Sequence, residues 1–176
     1  MPQAPWAERW RGILARLRLV RDAACEDALL RELARPLAAA RPRVLAFVNA
    51  HAMNLAARRP AFAQQLAQAD VLLRDGSGLA TLLRWRGQAP GLNLNGTDFI
   101  PRLLRQCDGQ ALAVIGTREP HLARGVAAIR TQLMPRSPVC ALDGYRDTAE
   151  YLALLQAQRP RVVLLAMGMP RQEALA

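Results

Sequence analysis

From Arg43 onward, five short apolar runs alternate with longer amphipathic stretches, and that alternation is the signature of a parallel sheet whose strands are joined by crossover helices. The runs are Val44-Leu45-Ala46-Phe47-Val48, Val71-Leu72-Leu73, Ala111-Leu112-Ala113-Val114-Ile115, Val139-Cys140-Ala141-Leu142 and Val162-Val163-Leu164-Leu165-Ala166. Nearly all their residues are apolar, which predicts strands buried on both faces. Between them, Leu122, Val126, Ile129 and Leu133 recur at i, i+4, i+7 and i+11, so one apolar stripe runs along a helix that ends before Pro135. Tyr151, Leu152 and Leu155 set a similar stripe ahead of Pro160. Thr97 or Asp98 is placed to cap a helix running through Leu104, with Pro101 tolerated in its first turn. Near the start, Trp10, Ile13, Leu14 and Leu17 suit a helix, Leu17-Arg18-Leu19-Val20 fits an edge strand equally well, and a further helix is expected around Glu26 to Leu33.

A chain of 176 residues that is 52% apolar is long enough for one proper hydrophobic core, and it carries no repeat, low-complexity tract or linker. The expectation is therefore a single α/β domain over residues 1–176, with 1–22 the least defined part. Its class is Rossmann-like: a mostly parallel sheet with helices on both faces. The net charge of +10 comes with 24 basic residues that are all arginine, which reads as the coding bias of a GC-rich bacterial genome. Nucleic acid is not the expected partner, because aromatic content is 5% and no basic run is interleaved with stacking residues. A basic face would still attract anionic lipid or a diphosphate. The three cysteines are an odd set without CxxC spacing, so the reducing cytosol fits best. His51 and His121 stand apart from other ligand types and read as surface or cap residues, with no metal site indicated. No run reaches the ~18 apolar residues that a bilayer span needs, so the chain is expected to be soluble or peripheral.

In parallel α/β sheets, ligands collect beyond the carboxyl ends of the strands. That rule selects Asn49, then Arg74-Asp75-Gly76-Ser77-Gly78, then Gly116-Thr117, then Asp143-Gly144-Tyr145, and finally Gly168-Met169-Pro170-Arg171-Gln172-Glu173. Each of the later sets joins glycine to polar groups, an arrangement that lets backbone approach a phosphate. Asp75 is the leading candidate for a general base, with capping of the helix that starts near Gly78 as the rival role. Asn49 has a rival role too, satisfying loop backbone. Other chemistries fit poorly. Asp75 stands where a GxSxG elbow needs glycine, and Thr81 stands where GxGxxG needs its third. Without lysine there is no P-loop, and no Asp-x-Asp pair is present to hold a divalent metal on a diphosphate. No cofactor is expected.

Taken in order, the strand-end sets resemble the WecG/TagA/CpsF glycosyltransferases, glycosyltransferase family 26, from roughly Ala23 to the last residue. Val48-Asn49-Ala50 with Met53 and Ala56 is similar to the family's asparagine motif, and Ala69-Asp70 leading to Asp75-Gly76-Ser77-Gly78 to its "aD…DG.G" block. Asn95-Gly96-Thr97-Asp98 is similar to the "G.D" block, Ile115-Gly116-Thr117 to "lGg", and Gly144-Tyr145 to the "GY" pair. Ala166-Met167-Gly168-Met169-Pro170-Arg171-Gln172-Glu173 is similar to "alG.PkQE", the most specific element. Phe47 replaces a frequent threonine, and Asn93 stands where an arginine usually precedes the "G.D" block.

The resemblance implies an inverting, metal-independent hexosyltransferase. It would move an N-acetylhexosamine or uronic acid from a UDP-sugar to a polyprenyl diphosphate-linked saccharide during surface-polysaccharide (exopolysaccharide) synthesis. Asp75 would be the catalytic base. Asn49, Gly76, Gly96, Asp98, Gly116, Gly144, Tyr145, Gly168, Arg171, Gln172 and Glu173 would form the substrate-binding set. Its implied partners are the UDP-sugar donor, the lipid-linked acceptor, the inner face of the cytoplasmic membrane and further copies of the chain. Members continue for some tens of residues past the last motif, so the chain resembles a C-terminally truncated core, expected to fold and to turn over weakly. The rival reading is a non-catalytic module that binds a membrane surface or a nucleotide.

Overall fold

The computed structural model describes residues 4–36 and 41–176, so positions 1–3 and 37–40 of the expected core lie outside the described residues. Each apolar run becomes a strand whose ends fall within one residue of expectation: β1 (Leu45–Val48), β2 (Val71–Arg74), β3 (Leu112–Gly116), β4 (Val139–Leu142) and β5 (Val162–Ala166). Helices α1 (Pro5–Arg16) and α2 (Ala23–Ala34) precede them. Helices α3 (Ala50–Arg58) and α4 (Pro60–Gln68) link β1 to β2, and α5 (Ser77–Trp85) and α6 (Gly96–Gln106) link β2 to β3. Then come α7 (His121–Ala128), α8 (Thr148–Gln158) and α9 (Arg171–Leu175). Every strand pairing is parallel, and the expected α/β class is present. The pairing is shared between two sheets, β1-β2 and β4-β3-β5. The described residues correspondingly gather into two units, one within Met1–Leu29 and Leu37–Phe99, the other within Leu30–Pro36 and Ile100–Leu175.

In the first unit, β1 and β2 run in register from Leu45 beside Val71 to Val48 beside Arg74, and β2 is buried throughout. Helix α1 stops at Arg16, and Leu17 then forms a parallel bridge to Leu72, with the Arg18 N–H donating to the Leu72 carbonyl at 2.8 Å. Both readings of that segment are thus realised in turn. The last carbonyls of a helix have no partner within it. Arg9 supplies one for α3, donating to Ala56 O at 2.8 Å and to Ala57 O, while the Trp10 indole N–H donates to Met53 O at 2.7 Å. Ile13, Met53, Phe62, Leu66, Leu72 and Leu83 are buried here, and Phe47 meets Phe99 edge to face at 6.1 Å.

In the second unit, β3 lies between β4 and β5 and is buried along its length. Leu112, Val114, Leu122, Val126, Ile129, Met134 and Val139 share one apolar cluster, so the stripe expected on α7 faces the core. A single π-helical turn, Ile129–Leu133, carries that stripe to its end.

Three expectations need correction. Burial on both faces holds for β2 and β3 but fails for β5, where Val163 is 42% exposed. An apolar run shows what a strand is able to bury, while the cover has to come from other elements. On α8, Tyr151 is buried and Leu152 exposed, since neighbouring positions on a helix stand about 100° apart. Helix α6 begins earlier than predicted: Asn95 Oδ1 accepts from the Asp98 N–H at 2.9 Å, taking the capping role assigned to Thr97 or Asp98. Pro101 therefore lies inside the helix beyond its first turn, where it leaves the Thr97 carbonyl without the usual i+4 donor.

Candidate active site

The first cluster forms where β1 and β2 end. Asn49 is the N-cap of α3, its Oδ1 accepting from the Ala52 N–H at 3.0 Å, and its amide Nδ2 donates to Asp75 Oδ2 at 3.4 Å. One residue thus satisfies loop backbone and touches the candidate base. Asp75 is half-buried directly after β2, and its backbone N–H donates to Val48 O at 2.8 Å. The N-cap of α5 is Gly76, with no side-chain cap bond, so Asp75 does not take the capping role considered for it. Among the described residues, the bond to its carboxylate comes from Asn49 alone.

The turn carrying Asp75 is fixed from below by Arg74. This guanidinium is buried, 4% exposed, and donates to Pro90 O at 2.8 Å, Gly76 O at 2.8 Å and Gly91 O at 3.1 Å. Burial, followed by the neighbouring Arg84, weakens its hold on its proton, and Asp75 opposes them. Asn93 Oδ1 accepts from the Gly76 N–H at 2.7 Å, so the residue standing in the family's arginine position serves as a strut for the Asp75 turn. Gly76 has φ of +80°, a conformation that favours glycine. Gly96 opens α6, and Asp98 in its first turn accepts from Asn95 Nδ2 at 2.8 Å.

The second cluster forms where β3, β4 and β5 end. A Cβ on Gly116 would stand 2.4 Å from the Ala166 backbone, and one on Gly144 would stand 2.9 Å from Gly116 Cα. Backbone therefore packs directly on backbone, sealed by Thr117 N–H to Ala166 O at 3.0 Å and Gly144 N–H to Thr117 O at 3.0 Å. Thr117 has φ of +50°, rare for a β-branched residue, and it occupies the second glycine of "lGg". Above this base, Tyr145 is 53% exposed, with the Arg118 guanidinium 3.8 Å and that of Arg171 4.9 Å from its ring centre. Asp143 accepts from Arg146 Nε at 2.6 Å and from the Tyr145 N–H at 3.0 Å, which holds its carboxyl below the usual range. Tyr151 pins the loop from α8, donating to Asp143 O at 3.2 Å and accepting from the Arg146 N–H at 2.9 Å.

Gln172 and Glu173 turn toward their own loop. Gln172 Oε1 accepts from the Gly168 N–H at 3.2 Å, and its Nε2 donates to Glu173 Oε1 at 3.0 Å. Glu173 Oε2 is buried without a hydrogen-bond partner, and burial pushes its carboxyl above the usual range. The strand-end rule stopped at Thr117 and so missed Arg118; the guanidinium two residues after Gly116 was the available signal. Asn93 and Tyr151 were missed because nothing local in the sequence marks a side chain that reaches across to a distant loop. No group of three His, Cys, Asp or Glu side chains suited to a metal occurs among the described residues.

Compared with known families, residues 16–176 match the model of the glycosyl transferase WecG/TagA/CpsF family. The chain belongs to that family. No curated protein gives a significant match. WecG/TagA/CpsF membership makes it a glycosyltransferase of cell-surface polysaccharide synthesis, with a sugar donor and an acceptor as its substrates. Among the described residues, no helix is long and apolar enough to cross a membrane.

Proposed function

We propose that the chain, acting over residues 1–176 as one catalytic core, transfers a hexosyl residue of the N-acetylhexosamine or uronic acid type from a UDP-sugar to a polyprenyl diphosphate-linked saccharide. The reaction is inverting and metal-independent, and it takes place at the inner face of the cytoplasmic membrane, with self-association of the subunits belonging to the same reading. The observation that carries the proposal is the Asp75 turn: a carboxylate at a strand end, released from capping and held by Arg74, Asn93 and Asn49. In the transfer, the acceptor hydroxyl gives its proton to Asp75 as its oxygen attacks the anomeric carbon from the face opposite the diphosphate. The bond from anomeric carbon to diphosphate oxygen breaks, and UDP departs with the electron pair. A general base of this kind contributes roughly 10²- to 10⁴-fold in rate.

Asn49, Gly76, Gly96 and Asp98 are the binding residues proposed in the first unit, and Gly116, Gly144, Tyr145, Gly168, Arg171, Gln172 and Glu173 those in the second. Arg118 joins the second set. An aromatic ring with two guanidiniums over it suits a ligand that is both aromatic and anionic, as a nucleoside diphosphate is. Arg74, by contrast, donates to the Pro90, Gly76 and Gly91 carbonyls and to Asn93 Oδ1, and serves the turn instead of the leaving group.

Calorimetry with UDP and UDP-sugars, joined to turnover of a soluble short-chain acceptor by Asp75→Asn, tests the proposal. The expected outcome is uridine diphosphate binding, with a rate loss of about 10²-fold or more in the variant and affinity within a few-fold of the parent. Absence of binding at millimolar UDP would defeat the donor assignment, and equal loss of binding and rate would defeat the role of Asp75.

A further inference from the structure

The chain has three tryptophans, Trp6, Trp10 and Trp85, all in the first unit, and Trp6 and Trp10 line one groove there. Trp6 and Trp10 stand one turn apart on α1 and meet edge to face at 5.5 Å. Together with Ala7, Arg11 and Leu14 of α1, and with Leu82 and Arg86 at the end of α5, they line a groove of about 230 Å³. Trp85 follows Leu82 by three positions on α5, which sets both on one side of that helix. Exposure here is unusual for such large side chains: Trp85 is 83% and Trp6 48% exposed. Arg11 and Arg86, both exposed, line the same groove, with Glu8 the acidic residue on the neighbouring turn of α1.

We propose that this groove is the surface by which the protein docks on a bilayer of anionic phospholipid. Trp6 and Trp85 would enter the headgroup boundary, and Arg11 and Arg86 would pair with lipid phosphates. Tryptophan favours that boundary because its ring is apolar and its N–H is polar, and each arginine near an anionic surface adds about 1 kcal/mol. The Trp10 indole is anchored to Met53 O, so the groove floor is built before any ligand arrives. A second copy of the chain is a poor occupant. An isologous contact would bring these arginines against their own copies, like charge on like charge. The inference extends the membrane part of the proposed function and rests on none of its chemistry. Failure of vesicle binding would leave transfer to a soluble acceptor intact, and failure of UDP binding would leave vesicle binding intact.

Two of the three tryptophans line the groove and the third follows its Leu82 by three positions on α5, so intrinsic emission reports on it. Emission and co-sedimentation are measured with phosphatidylglycerol and with phosphatidylcholine vesicles, for the parent chain, Trp6→Ala/Trp85→Ala, Arg11→Gln/Arg86→Gln, and Arg124→Gln/Arg161→Gln. The last pair removes the same charge from exposed positions of the second unit. The expected result is a blue shift and binding with phosphatidylglycerol only, weakened on the order of 20-fold by Arg11→Gln/Arg86→Gln and abolished as a shift by the tryptophan pair. The control pair should bind within threefold of the parent, and circular dichroism should show all variants folded. The proposal is overturned by absence of binding, or by equal weakening in the control pair, which would mean that net charge alone drives association. It is overturned equally if sedimentation velocity shows a dimer that the tryptophan pair dissociates, or if a single-stranded oligonucleotide shifts the emission and the vesicles do not.

Discussion

Replacing Arg74 by lysine keeps the charge and removes the fork, so it isolates what the guanidinium geometry contributes to the Asp75 turn. Three of its bonds are at or below 3.1 Å, each to a backbone carbonyl: Pro90, Gly76 and Gly91. A net value of about 1 kcal/mol per bond gives roughly 3 kcal/mol for complete loss, as in Arg74→Met. A lysine ammonium on a single flexible stem recovers about one of the three, so Arg74→Lys should cost about 2 kcal/mol. For a chain of this size, each kcal/mol moves the midpoint by about 2 to 4 °C, so the lysine variant should melt roughly 4 to 8 °C lower and the methionine variant lower still. Thermal denaturation followed by circular dichroism gives the midpoints. Amide hydrogen exchange at Gly76, whose N–H is held by Asn93, shows whether the loss is local to the turn. A lysine variant melting within 2 °C of the parent, with Gly76 protection unchanged, would refute the view that a bonded guanidinium holds this turn.

Two further predictions follow from the geometry. Gly116→Ala should cost several kcal/mol or prevent folding, because its Cβ would stand 2.4 Å from the Ala166 backbone, whereas Gly125→Ala, with open space around the added Cβ, should leave the melting midpoint unchanged or raised by helix propensity; equal midpoints for both would defeat the packing argument. Asp70 accepts from Arg41 and from the Val44 N–H, and the Arg41 bond chiefly holds its pKa near 2, against the ordinary 3.8. A depressed carboxyl stabilises the fold above its unfolded value and loses that contribution as pH falls from 3.8 to about 2. Urea titrations should therefore show the parent losing its advantage over Asp70→Asn across that window, and an advantage that persists at pH 2 would count against the pairing.

The strands were legible because five apolar runs each stand between polar turns, and their ends fell within one residue of the apolar limits. The candidate site was legible in outline for a related reason, since strand ends follow from strands. What sequence did not show was how each candidate is employed. Asn49 caps a helix and touches Asp75 at once, and Gln172 holds the Gly168 loop with the same amide that the family motif marks. The capping error at α6 has a local cause: Asp, Thr and Asn are all good N-caps, and the choice among neighbours depends on the direction from which the chain enters the helix, while at α5 Gly76 takes the N-cap position and the rival role weighed for Asp75 falls away. The roles of Arg118 and Asn93 went unseen because their partners are 27 and 17 residues away, beyond the reach of any local pattern.

The main-chain contacts among Gly116, Gly144 and Ala166 also bear on how such an enzyme can change over generations. Any codon change that adds a side chain at 116 or 144 drives it into the neighbouring loop, and that loop, being strand-end backbone, has no rotamer with which to step aside. The loops after β3, β4 and β5 thus cannot diversify one at a time. New preferences for donor or acceptor have to be written at the exposed positions resting on this shared base, Arg118 and Tyr145 among them, while the base itself is inherited unaltered.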